Sequence, residues 1–148
     1  MAIPGGPTVH ASAVLIGARA VLIRGPSGSG KSRLAWELIE AARDGAVVFA
    51  RLVGDDRVHL QAAGGRLLVQ PNEALAGLIE LRGVGILRRD HEPCAVVGLV
   101  VDLAAADAER LPERREIVVE GIPIPRLAVA PAVAALPLVL AVVTSCGS

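Results

Sequence analysis

Apolar residues along this chain come in short runs broken by glycine, proline and charge. Thr8 to Ile16 and Ala20 to Arg24 are strand-like runs separated only by Gly17-Ala18-Arg19, which predicts a hairpin. After the glycine-rich stretch that follows, the spacing becomes helical. Leu34, Ala35, Leu38, Ile39 and Ala42 fall on one face of a segment running to about Arg43, and Asp44-Gly45 stops it. Ala46 to Val53 reads as a strand and Gly54-Asp55-Asp56-Arg57 as a turn. Val58 to Gln61 and Leu67 to Val69 flank Ala63-Gly64-Gly65-Arg66 as a second hairpin. Pro71 to Gly77 reads as a short helix with Pro71 in its first turn.

Leu78 to Arg82 then enters Gly83-Val84-Gly85-Ile86, and a polar loop follows from Arg88 to Pro93. Ala95 to Leu103 is a strongly apolar strand, Ala104 to Pro112 a charged connection, Glu116 to Glu120 an alternating strand, and Ile122 to Pro125 an extended segment. Leu127 to Val143 carries no charged residue, but Pro131 and Pro137 interrupt it and it barely matches a bilayer. A buried terminal helix or strand pair is expected there, not a membrane span. Only one clear helix follows the first strands, and hairpins come after it. A strictly alternating nucleotide fold does not have that order. The expectation is an α/β, α+β-like fold with a mixed, largely antiparallel sheet, forming a single domain over residues 1–148.

Composition narrows the functions. Fifteen basic and fifteen acidic residues cancel, which argues against a general nucleic-acid or membrane-surface binder. Trp36 and Phe49 are the only aromatic residues, too few for a base-stacking platform. Cys94 and Cys146 make no disulfide framework, and Met1 to Pro7 has neither the basic nor the apolar region of a signal peptide. A reducing, cytoplasmic setting is expected.

The chemistry begins at Gly25-Pro26-Ser27-Gly28-Ser29-Gly30-Lys31-Ser32, which fits the phosphate-loop pattern at every fixed position. Gly25, Gly28 and Gly30 leave room for phosphate oxygens, and the loop amides and helix N-terminus face the anion. Lys31 is placed to reach the β and γ phosphates of ATP, and the Ser32 hydroxyl to sit on Mg²⁺. Asp55 and Asp56 at the end of a strand offer a metal ligand or a general base. Glu80 can join the Mg²⁺ shell, and Arg82 with Gly83 can approach phosphate. His10 and Arg110 carry little signal alone. His59 and His91 have no supporting partner, and no His/Cys set has zinc spacing.

Together these pieces resemble the catalytic domain of the HPr kinase/phosphorylase family. The matching stretches are Val9-His10-Ala11, Val21 through Ser32, Arg51 through Val58, and Ile79 through Ile86, the last being the most specific. The family phosphorylates a serine of HPr, a phosphocarrier of the sugar phosphotransferase system, and can reverse the reaction. By position the resemblance implies that Asp56 takes the serine proton, that Ser32 and Glu80 hold Mg²⁺, and that His10, Lys31 and Arg110 are catalytic. It also implies a fold related to phosphoenolpyruvate carboxykinases and a homohexamer. The chain reads as a compact form without the family's N-terminal regulatory domain. Arg33 stands where the family commonly has an acid, and the loop from Arg88 to Pro93 is short. Ile122-Pro123-Ile124-Pro125-Arg126 replaces the family's Pro-x-x-Pro-Gly-Arg-like element, which speaks against the reverse reaction. The rival readings are a small-molecule, carboxykinase-like kinase and a non-catalytic nucleotide sensor.

Overall fold

The run that leads into the phosphate loop becomes a strand buried on both faces. In the computed structural model, which describes residues 7–113 and 115–145, the strands are β1 (Val9–His10), β2 (Ser12–Ile16), β3 (Arg19–Arg24), β4 (Ala50–Gly54), β5 (Arg57–Ala63), β6 (Arg66–Pro71), β7 (Leu78–Leu81), β8 (Gly85–Arg88), β9 (Ala95–Asp102), β10 (Glu116–Val119) and β11 (Ile122–Ala128). The helices are α1 (Lys31–Arg43) and α2 (Ala135–Ser145). Cys146 and the stretch from Met1 to Gly6, on which the thiol and signal-peptide readings partly rest, lie outside the described residues.

One sheet runs β1-β5-β6-β9-β3-β2-β4, with β11 joined to β9 and β10 to β11. Strands β3 and β11 run parallel to β9, and the other pairings are antiparallel. The mixed, mostly antiparallel α/β arrangement expected from element order is therefore the one observed. Strand β9 is the junction. One edge pairs with β3. Its other edge is shared, with β6 beside Ala95 and Val96 and β11 beside Val100 to Asp102.

Alternating side chains of the central strands feed two cores. Val21, Ile23, Leu99 and Val101 pack against Leu34, Ala35 and Leu38 of α1 and Val139 of α2. Ala20, Leu22, Val97 and Val100 face the opposite way, onto Val58, Leu67, Val69 and Ile124 of the outer hairpins. Burying both faces makes these strands continuously apolar and holds the end of β3, where the phosphate loop begins, from both sides.

Several expectations shift. The segment after α1 enters the sheet only at Ala50, because Val48 points fully into solvent. The helix buries Ala41, while Ala42 is half-buried. Pro71 ends β6, and the short helix is a single 3-10 turn, Glu73–Leu75, capped by the Asn72 side chain. The extended Ile122-Pro123-Ile124-Pro125 segment is the first part of β11. The terminal apolar segment supplies the end of β11 and then α2, and no helix among the described residues is long and apolar enough to cross a membrane.

Candidate functional site

At the end of β3 the chain turns through Gly25 to Gly30 into α1. A β-carbon at Gly25 would stand 2.5 Å from Ser29 Oγ and 3.1 Å from Leu103 Cβ, so only glycine lets the loop lie this close to the end of β9. Gly28 and Gly30 have φ of 81° and 100°, the left-handed region that favours glycine. Lys31, the first helical residue, folds its ammonium back onto the loop and donates to the carbonyls of Gly25 (2.8 Å) and Pro26 (3.2 Å). Arg82, from the turn between β7 and β8, brings Nη2 to 4.0 Å from where a Gly28 β-carbon would be. The Ser29 hydroxyl is buried without a hydrogen-bond partner among the described residues. A glycine turn that holds a lysine ammonium, with an arginine near Gly28 and a buried hydroxyl left unsatisfied among the described residues, is the kind of turn that takes phosphates.

The turn from β4 into β5 presents two adjacent carboxylates to different surroundings. Asp55 is 4% exposed and collects donors: Ser12 Oγ at 2.6 Å, Ser32 Oγ at 2.7 and 2.9 Å to its two oxygens, and the Glu80 amide at 3.1 Å. One buried acid therefore ties β2, the start of α1 and β7 to the end of β4. Asp56 lies in the left-handed region at φ 69°, a conformation Asp tolerates better than most residues. Its amide donates to Ser12 Oγ at 3.4 Å, and its carbonyl accepts from the Ala11 amide at 3.2 Å. Its side chain is 65% exposed and stands 4.0 Å from His10 Nδ1, itself 66% exposed. These values place the pair at an open surface.

The structure thus brings Lys31, Ser32, Asp55, Arg82 and the backbone of Glu80 around the loop, with His10 and Asp56 joined to them through the turn. The Glu80 side chain and Gly83 are exposed. Arg110 is not gathered in. It is exposed on the connection after β9 and makes no hydrogen bond or ion pair among the described residues. Ser12 was not singled out by spacing, and the only signal is a hydroxyl in an otherwise apolar strand. His59 Nδ1 lies 3.1 Å from the Pro7 carbonyl, a local contact.

A second cluster also escaped the sequence reading. Asp102, the last residue of β9, accepts from Arg24 Nε at 2.7 Å and Nη2 at 2.9 Å, and from Arg126 Nε at 2.6 Å. Burial pushes this carboxyl up, but the hydrogen bonds and charges of the two arginines outweigh it and hold it below its ordinary range. Asp107 is likewise held low, first by the hydrogen bonds from Arg126. Arg126 is raised further above its already high value by Asp107 and Asp102. A charge at the end of each of two long apolar strands was the available hint.

Comparison with known proteins agrees with this geometry. The sequence model of the family described as HPr Serine kinase C-terminal domain matches residues 6–129. An HPr kinase/phosphorylase of Streptococcus pneumoniae is 35% identical over 133 residues, 81% of this chain and 40% of the relative. One of Streptococcus thermophilus is 44% identical over 81 residues, 54% of this chain and 24% of the relative. The chain therefore spans well under half the length of these curated relatives. A solved structure, the Hpr(Ser) kinase/phosphatase from Coxiella burnetii, superposes with a TM-score of 0.77 over 96% of this chain and 97% of that one, at 24% identity, and shows a shared fold. With 6–129 matched around an intact phosphate loop, the chain belongs to the HPr serine kinase C-terminal domain family.

Proposed function

We propose that residues 1–148 form a single catalytic domain, an ATP- and Mg²⁺-dependent protein serine kinase acting on an HPr-type phosphocarrier protein of the phosphotransferase system in the cytoplasm. The names of the relatives support the reaction class. The observation that carries it is the split between adjacent acids: Asp55 buried on the loop serine, Asp56 two-thirds exposed beside His10.

Bound ATP with Mg²⁺ supplies the phosphoryl group and neutralises its charge. The chain's own residues do the rest. Ser32 and Asp55, with Glu80 at the rim, hold the metal. The amides of Gly25 and of Ser27 to Gly30, on either side of Pro26, and the Lys31 ammonium would cradle the phosphates, and Arg82 beside Gly83 would approach them. Asp56 accepts the proton of the acceptor serine, and His10 and Arg110 meet charge that develops during transfer. An exposed base suits a serine presented by a folded protein better than a metabolite, which needs an enclosing pocket. This favours a protein acceptor over a small-molecule kinase, and a base beside an intact loop favours an enzyme over a sensor. By family likeness the protein works as an oligomer, a hexamer in the form the resemblance implies, while its departure from the family's Pro-x-x-Pro-Gly-Arg-like element, at Ile122 to Arg126, favours the forward direction.

The test is direct. The folded protein is incubated with ATP, Mg²⁺ and HPr, and phosphoserine on HPr is measured by mass spectrometry. Phosphoserine is expected. Nucleotide binding with no transfer to HPr overturns the kinase reading, and transfer only to small acceptors replaces it with the metabolite reading.

A further inference from the structure

The β7–β8 hairpin is a two-stranded sheet of its own, apart from the main sheet. Two strands alone are marginal in water, so the contacts that seat the hairpin decide where it lies. Those of β7 are deep. Ile79 is buried in the core with Leu34 and Leu38 of α1, and the Glu80 amide donates to Asp55 at 3.1 Å. Those of β8 are few. Gly85, Ile86 and Arg88 are exposed, and Leu87 is the residue of the strand that packs against the core.

The residue after β8 supplies what that strand lacks. The Arg89 guanidinium carbon lies 4.5 Å from the centroid of the Trp36 ring on α1, inside the range of a cation–π contact. Arg89 makes no ion pair among the described residues. One of its nitrogens donates to the Arg88 carbonyl at 2.8 Å, and the ring takes its face. The Arg89 amide donates to the Gly77 carbonyl at 2.7 Å and closes the base of the hairpin. Gly77 has a φ of 77°, and a β-carbon there would stand 3.1 Å from the Arg89 carbonyl oxygen, so glycine allows the close approach. Arg82 sits at the opposite end, in the turn, with Nη2 near Gly28. The hairpin therefore meets the loop and its helix at both ends, Gly28 at the tip and Trp36 at the base.

We propose that Arg89 is a positioning residue whose stack on Trp36 holds β8 against α1 and so keeps Arg82 at the phosphate loop. Arg89 acts through Arg82 and does not touch the nucleotide. This role rests on the reading of Gly25 to Ser32 as a phosphate cradle, and not on the identity of the acceptor. A guanidinium suits it better than an ammonium. Its flat face covers the indole while the N–H groups at its edge remain free to reach the Arg88 carbonyl.

The experiment uses the full chain with Arg89→Ala and Arg89→Lys, and measures the affinity for ATP with Mg²⁺ by calorimetry. Arg89→Ala is expected to weaken binding by about threefold to tenfold, with Arg89→Lys recovering part of the loss. In an Arg82→Ala background, Arg89→Ala is expected to cost nothing further, whereas a merely structural role would give additive losses. Two amides read the hairpin without nucleotide: that of Glu80 on Asp55, and that of Val84, bonded to the Leu81 carbonyl at 3.0 Å across the turn that carries Arg82. Hydrogen exchange at both should quicken in Arg89→Ala. Unchanged affinity, or additive losses with Arg82→Ala, overturns the proposal. If Arg89→Ala fails to fold, Trp36→Phe, which keeps a ring but weakens the stack, goes through the same cycle and decides. If the unaltered protein binds no ATP, the phosphate-cradle reading falls separately. Exchange then decides the role of Arg89, where faster rates at both amides support it and anything less rejects it.

Discussion

Asp55 and Asp102 stand on opposite sides of the phosphate-loop strand in the sheet order, yet they are answered by different chemistry. Asp55 meets two hydroxyls and an amide, all neutral. Asp102 meets two guanidinium groups, one of them bidentate. Neutral donors bring no opposing charge to a carboxylate. Paired arginines cancel its negative charge and convert it into rigidity. One side of the loop thus carries an acid without a cationic partner, the one the proposed function uses for binding, and the other an acid locked between arginines.

The largest expected effect breaks the binding side at its exposed end. Asp56→Asn keeps the shape of the turn but removes the proposed base. The transfer rate should fall by about a thousandfold, with nucleotide affinity, followed by calorimetry, little changed. Loss of binding in equal measure would mean that Asp56 belongs to the cradle.

Next comes the supporting side. Asp102→Ala leaves Arg24 and Arg126 without their shared acceptor and should cost about 2 to 4 kcal/mol in urea unfolding. Because the folded-state carboxyl is depressed, its stabilisation is present above the ordinary aspartate value and lost as pH falls through the lower folded one. The gap between wild type and variant should be constant above about pH 4 and narrow below it. A gap independent of pH throughout acid unfolding would rule out the ion pairs as its source.

The smallest effect is at Ser12→Ala, which removes one neutral donor from Asp55 and the acceptor for the Asp56 amide. A stability loss of about 1 to 2 kcal/mol is expected, with Ser12→Thr recovering part of it. A loss as large as that of Asp102→Ala would erase the contrast between the two sides.

What could be read in advance follows the same division. The phosphate loop, its helix and the two hairpins depend on neighbours in sequence, and their turn residues announce them. Asp55 and Asp56 were visible because turn chemistry and carboxylates coincide there. Asp102 was not, since its partners lie 78 and 24 residues away, and such pairings leave no periodic trace. The run at Val47 and Val48 overstated β4, because apolar character does not reveal that Val48 faces solvent. The prolines of β11 understated it. The Arg126 amide points to the β10 side, toward the Arg115 carbonyl, so Pro123 and Pro125 turn their missing donors toward the edge that β9 has not yet reached.

The position of β9 also bears on how the protein is made. A ribosome delivers the whole phosphate loop long before the strand that flanks β3 on its second side has been translated. Closing that contact means joining segments 78 positions apart, as in the pairing of Leu22 with Val100, which is the slow kind of step in folding. A nascent chain that stops short of Ala95 carries the entire glycine-rich signature with one wall of its cradle missing, and it should acquire grip on a nucleotide only after that wall emerges.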